Sequence, residues 1–164
     1  MAPNEVARPA GDVIEIRLLG GLEIGRDAER VPLESARAES LLAYLALHRH
    51  TAQQRQRIAF TLWPDSTEAQ ALTNLRHVLH NLHRSLPEAD QLIDARPRTL
   101  QWRPAVPVRL DVAEFEDAIA AGDLAAAAAI YAGDLLADRY DEWLLPERDR
   151  LARLHINALE RLSR

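Results

Sequence analysis

The stretch from Glu68 to Pro87 constrains this 164-residue chain more than any other. Leu72, Leu75, Leu79, Leu82 and Leu86 follow one another at steps of 3, 4, 3 and 4, which lays one apolar stripe along an α-helix. Pro87 then stops the helix, because it has no N–H to continue the ladder. Opposite the stripe lie Gln70, Thr73, Asn74, Arg76, His77, His80, Asn81 and Arg84, and no acid follows Glu68 within the helix. A helix facing only water gains from interleaved Glu–Arg pairs, each stabilising it by about 0.2–0.5 kcal/mol. A face of amides, hydroxyl, imidazoles and guanidinium instead matches base edges. Asn and Gln pair with adenine, Arg pairs with guanine, and Thr meets the thymine methyl or a phosphate. One side of this helix is therefore expected in a core and the other against nucleic acid.

The neighbouring sequence supplies a frame for that helix. Val13, Ile14, Ile16 and Leu18 precede Gly20-Gly21, and Leu22 and Ile24 follow, which predicts two short strands around a glycine turn. A third extended piece is expected at Val31-Pro32-Leu33. Ser35 can cap a helix carrying Ala38, Leu41, Leu42 and Leu45. Thr51-Ala-Gln-Gln54 fits a capping box for a second helix with Ile58, Ala59 and Leu62 on one face, stopped at Trp63-Pro64. Asp65-Ser-Thr-Glu68 fits another box, opening the long helix. From Leu92 to Trp102, alternating residues flank Arg96-Pro97-Arg98, which predicts a hairpin. The fold class expected is α+β: a winged helix-turn-helix with an N-terminal antiparallel sheet and a C-terminal wing hairpin, followed by an α-helical, tetratricopeptide-like segment. Element order alone leaves a generic α+β domain equally open, and the chemistry of the long helix favours the winged helix.

Charge is distributed unevenly. The chain carries a net −5, yet Arg49 to Arg109 holds nine arginines against five acids, and Asp111 to Arg164 holds twelve acids against six arginines. A basic middle and an acidic end imply two surfaces with different partners. Every fixed positive side chain is an arginine, the residue suited to phosphate and guanine. There is no cysteine, which excludes disulfides and thiol catalysis. No apolar run reaches the ~20 residues needed to cross a bilayer, and the start of the chain lacks the apolar centre of a secretory signal. Together these point to the cytoplasm and away from a membrane.

Several pieces in order resemble the antibiotic-regulatory-protein (SARP) family, whose DNA-binding domain is an OmpR-type winged helix. They are Leu19-Gly-Gly-Leu-Glu-Ile24, Ser40-Leu-Leu-Ala-Tyr-Leu-Ala-Leu-His48, Leu62-Trp-Pro-Asp65, the helix from Ala71 to Leu86, and Pro107-Val-Arg-Leu-Asp-Val-Ala-Glu-Phe115. The resemblance implies a transcription activator that binds promoter repeats; no cofactor is expected. Its partners would be double-stranded DNA and RNA polymerase, and repeats allow a homodimer on DNA. The major-groove set would be Gln70, Thr73, Asn74, Arg76, His77, His80, Asn81 and Arg84, with Arg96 and Arg98 on the wing. The turn Trp63, Asp65, Ser66 and Thr67 would face the polymerase. Family members place a basic residue where His83 stands, so a phosphate contact there depends on histidine protonation.

The expected organisation is a flexible tail over 1–12, the winged helix over 13–110, and over 111–164 the start of the helical activator domain that follows the winged helix in this family. In the last part, Asp111 can cap a helix bearing Phe115 and Ile119 that ends at Gly122. Asp123 can cap a second that runs to Gly133, and a last helix carries Trp143, Leu144, Leu151, Leu154, Ala158 and Leu162, starting or bending at Pro146. Such helices could pack on the winged helix, pair with a second chain, or continue a longer array. No enzymatic arrangement is visible. His77, His80 and His83 rotate by ~60° per step around a helix and so fan out instead of converging on a metal. Asp90 and Asp94, or Asp141 and Glu142, have no nucleophile beside them. Gly20-Gly21 lacks the spacing of a phosphate loop, and Trp63 and Trp102 are expected as core anchors. The competing reading is a protein-interaction module, in which the winged helix is a scaffold and the acidic C-terminal helices bind a partner.

Overall fold

In this computed structural model, residues 13–164 are described. The tail expected over 1–12 lies outside the described residues. The chain opens with strands β1 (Ile14–Arg17), β2 (Glu23–Arg26) and β3 (Glu29–Arg30). β1 and β2 run antiparallel with Ile16 opposite Ile24, and Ile14, Ile16 and Ile24 are buried. Gly20 makes the intervening turn at φ +98°, where a Cβ would be strained. β3 falls two residues earlier than the expected Val31–Leu33. Val31 still donates its N–H to the Ile24 carbonyl at 2.8 Å, and the pairing stops there because Pro32 has no N–H to add.

Helix α1 (Ala36–Leu47) starts as expected, with the Ser35 hydroxyl accepting from the Ala38 N–H at 3.1 Å. Nearly the whole helix is buried, so it is the central rod of the fold. The expected capping box at Thr51 does not form. Gln53–Gln54 is a short strand, β4, paired to the later hairpin, and the Thr51 hydroxyl accepts from Gln53 Nε2 at 2.9 Å. Helix α2 (Arg55–Leu62) begins after it, with no side-chain cap. Helix α3 (Glu68–Ser85) is capped by Thr67, whose hydroxyl accepts from the Gln70 N–H at 3.2 Å. Asp65 and Ser66 are thereby left in the turn rather than at the cap. α3 packs on α1 and α2. Leu75, Leu79, Leu82 and Leu86 are buried as expected, but Ala71 and Val78 join the seam while Leu72 is only half-buried at its edge.

A short helix α4 (Ala89–Leu92) leads into the hairpin β5 (Ile93–Ala95) and β6 (Thr99–Trp102). The hairpin closes through the Arg96 N–H donating to Thr99 O at 2.9 Å, and β4 joins it to give the order β4-β6-β5. Trp102 is buried. Strand β7 (Val108–Leu110) then returns to the first sheet and pairs parallel with β1, Ile16 opposite Leu110, giving β3-β2-β1-β7. The three N-terminal strands are antiparallel as expected. The parallel fourth strand is an addition that local sequence does not signal.

Helices α5 (Asp111–Ala120), α6 (Leu124–Ile130) and α7 (Leu145–Leu162) follow, with a 3-10 turn at Glu142–Leu144 before α7. Asp123 caps α6 through the Ala126 N–H, Gly122 ends α5 at φ +74°, and Pro146 sits in the first turn of α7, where its missing N–H costs nothing. Asp111 is not a side-chain cap. Its carboxylate reaches across the sheet to accept from the N–H groups of Leu18 and Leu19, both at 2.9 Å, and from Val112 at 2.8 Å. Burial pushes that carboxyl up, against the effect of the N–H groups aimed at it.

The C-terminal helices pack on the winged helix. The segment between α6 and α7 straps across the β1–β2 turn: Gly20 N–H donates to Asp134 O and Leu136 N–H to Leu18 O, both at 2.9 Å. Gly133 lies so close that a Cβ there would stand 3.1 Å from Gly20 Cα. Arg148 holds the strap by donating to the carbonyls of Leu135, Leu136 and Arg139, and Arg139 pairs with Glu39 of α1. Phe115, Leu135, Leu136, Leu144 and Leu151 belong to the same apolar core as α1 and the sheet.

Candidate nucleic-acid interface

The core determines which way α3 faces. Counting about 100° per residue from the buried seam Ala71–Leu75–Val78–Leu82 places Thr73, His77, His80 and Arg84 on the opposite side, with Gln70 beside them. Asn74 and Asn81 are turned to one flank and Arg76 to the other. Gln70, Arg76, His77, His80 and Arg84 are exposed, while Thr73, Asn74 and Asn81 are half-buried. Gln70 Nε2 donates to Asn74 Oδ1 at 2.8 Å. The pair thus keeps a carbonyl acceptor on Gln70 and amide donors on Asn74, the complement of an adenine edge. The Thr73 hydroxyl donates back to the Ala69 carbonyl, leaving its methyl and its lone pairs for a partner.

His83 is not part of this face. It is half-buried, its Nδ1 is 2.7 Å from Leu79 O, and its Nε2 is 3.9 Å from Asp90. Glu68, the only acid of α3, lies in its first turn, and one of its oxygens accepts from Gln56 Nε2 at 2.7 Å.

On the wing, Arg96 and Arg98 both stand exposed at the hairpin tip. Arg96 is paired with Asp94 at 3.1 Å, which Arg103 also approaches at 3.6 Å. Arg98 has no carboxylate within reach among the described residues. Sequence reasoning passed over Arg55. Its N–H donates to Arg98 O and its Nε to Arg96 O, both at 2.8 Å, so it ties the first turn of α2 to the wing. Burial lowers the pKa of this guanidinium, and the charge of Arg76, which lines the same cleft between helix and wing, lowers it further. The missed signal was a basic residue in the first turn of a helix, where the macrodipole disfavours it.

The α2–α3 turn presents a second surface. Trp63 is half-buried and lies under the Arg37 guanidinium, 5.8 Å from ring centre to Cζ. Phe60, one turn before it, is 72% exposed. Asp65, Ser66 and Thr67 are exposed around the pair. Sequence periodicity did not mark Phe60, because it lies off the apolar face of α2.

Asp94 is paired with Arg96 and Arg103, and Asp90 lies 3.9 Å from His83 Nε2. No helix among the described residues is long and apolar enough to cross a membrane.

Three helices, with the third laid open and flanked by a hairpin, define a winged helix-turn-helix. EmbR from Mycobacterium tuberculosis, solved in complex with a low affinity phosphopeptide, shares this fold at a TM-score of 0.72 and 22% sequence identity over 88% of the present chain. The match takes in 43% of the EmbR chain, so the present chain spans less than half the length of that neighbour. No family model and no curated protein matches the chain.

Proposed function

We propose that this chain is a sequence-specific DNA-binding transcription regulator of the SARP type, with α3 in the major groove and the wing on the adjacent backbone. One observation carries the reading. The outward side of α3 is rich in hydrogen-bonding groups and arginine, and its single acid, Glu68, is confined to the first turn. Gln70, Thr73, Asn74, His77, His80, Asn81 and Arg84 read bases, and Arg98 meets phosphate. The family resemblance supports an activator that binds repeats, as two copies on DNA, and the composition supports the cytoplasm. The turn Trp63–Thr67, extended by the exposed ring of Phe60, then faces RNA polymerase.

The test is selection of bound sequences from a random duplex pool, followed by titration at several salt concentrations. Arg84→Ala is expected to lower the preference for the selected sequence by about 1–3 kcal/mol, and binding is expected to weaken steeply with salt as counterions return to the phosphates. If the chain binds no duplex at low salt while the acidic face of α5–α7 captures a protein, the scaffold reading replaces this one.

A further inference from the structure

The space between α3 and the wing holds an arrangement that the base-reading scheme does not use. Some arginines of the molecule are matched with a carboxylate, such as Arg26 with Glu88 at 2.5 Å, Arg109 with Glu114 at 2.9 Å, and Arg150 with Glu116 and Glu147 at 2.9 Å. Arg55, Arg76 and Arg98 instead line one cleft together, and no acidic residue lines it with them. Among the described residues none of the three has a carboxylate within ion-pair distance. Leu72, Leu75 and Pro97 form its apolar walls, which limit the water available to screen the charges. Arg55 is fixed in place by its two bonds to the hairpin carbonyls, and the neighbouring charge of Arg76 acts on it. Like charges gathered without a counter-charge raise the energy of the free protein, and an anion relieves them.

We propose that this cleft seats a single backbone phosphate of the duplex, gripped by Arg55, Arg76 and Arg98 together. The proposal rests on the DNA-binding reading above. Guanidinium forks fit phosphate oxygens with two parallel hydrogen bonds. Gln54 and Thr99 at the rim add uncharged polar groups. On this geometry Arg76 leaves the base-reading set: it lies on the wing-side flank of α3, and its contact sets the register of the helix without reading sequence. Arg55 acts partly as a positioning residue, because the bonds that hold it also hold the wing.

The experiment measures binding of the full chain to a mixed-sequence duplex and to its selected duplex between 50 and 200 mM salt. The variants are Arg76→Gln/Arg98→Gln and the same pair with Arg55→Gln. The double variant touches only exposed side chains, so it keeps the test valid if loss of Arg55 disturbs the wing. Both variants are expected to lower the slope of log affinity against log salt by about 0.9, the release from one phosphate, making the fall in affinity across that range about 3.5-fold shallower. Preference for the selected sequence is expected to stay as in the unaltered chain. A slope loss near 2.7 in the triple variant would mean three separate phosphates and overturn the single seat. An unchanged slope, or a changed base preference in the Arg76→Gln/Arg98→Gln variant, would overturn the cleft while leaving DNA binding intact. Failure of the unaltered chain to bind any duplex would instead overturn the underlying reading.

Discussion

Asp111 offers the sharpest test of how the two halves of the molecule are joined. Its carboxylate accepts from the N–H groups of Leu18 and Leu19, two residues just past β1 that are almost completely buried. Asp111→Ala removes both acceptors and leaves two part-buried donors without a protein partner. A hydrogen bond to a charged group contributes about 1.5–3 kcal/mol, so two are worth roughly 3–6 kcal/mol. Burial pushes the carboxyl up, meaning that its desolvation offsets part of this gain. The expected net loss is about 2–4 kcal/mol, a large share of the 5–15 kcal/mol typical of a folded domain. Asp111→Asn recovers little of it, because its NH2 group would oppose a backbone N–H where a carboxylate oxygen now accepts. The assay is urea unfolding followed by far-ultraviolet circular dichroism, with the midpoint expected to fall by about 1–2 M for a slope near 2 kcal/mol/M. Asp117, exposed on the same helix, is the control, and its alanine variant is expected within about 0.5 kcal/mol of the unaltered chain. If Asp111→Ala falls in that same band, the carboxylate does not join β1 to α5 and the argument fails.

Two further outcomes follow from the strap and the end of α1. Gly133→Ala would press a methyl group to 3.1 Å from Gly20 Cα. The shift this forces is expected to cost about 1–2 kcal/mol even after the ~0.4–1 kcal/mol gained by stiffening the unfolded chain; calorimetry should show a melting temperature lower by roughly 3–6 °C, and an unchanged value would mean the strap can retreat freely. His48 stacks on Tyr44 with ring centres 4.3 Å apart. Its burial lowers its pKa, with Arg57 lowering it further and Glu147 opposing. The folded state therefore prefers the neutral ring. Its contribution is full above the unfolded value of about 6.5 and is lost as the pH falls through the lower folded value. Urea midpoints at pH 7, 6 and 5 should drop more for the unaltered chain than for His48→Phe, and parallel decreases would assign the acid sensitivity elsewhere.

What the sequence disclosed depended on how local the deciding interaction was. α3 could be read because its pattern persists for five turns and ends at Pro87. The caps at Ser35 and Asp123 could be read because donor and acceptor lie three residues apart. The box at Thr51 misled because β4 pairs with β6, a strand more than forty residues later, and that pairing displaced a local cap. Asp111 misled in the same way, its acceptor role being toward N–H groups 92 and 93 residues away. At the candidate interface, side-chain identity and helical phase exposed the residues of α3. They could not expose Arg55, whose partners are backbone carbonyls and carry no mark in sequence. Nor could they show that Arg96 is already occupied by Asp94, or that Arg76 turns toward the wing.

The parallel pairing of β7 with β1 has a consequence for how the chain acquires its form. β1 is made early, but the neighbour on its other edge lies over ninety residues on, and the loop between them must close before that pairing repays its entropy. During synthesis, the first hairpin waits with one open edge while α1, α2, α3 and the wing emerge. The outward face of α3 can assemble on α1 before the first sheet is sealed. Sealing brings Asp111 and then the strap into place against Leu18, Leu19 and Gly20. A slow final phase that leaves the α3 face already native, visible in amide exchange, is the kinetic signature of this topology.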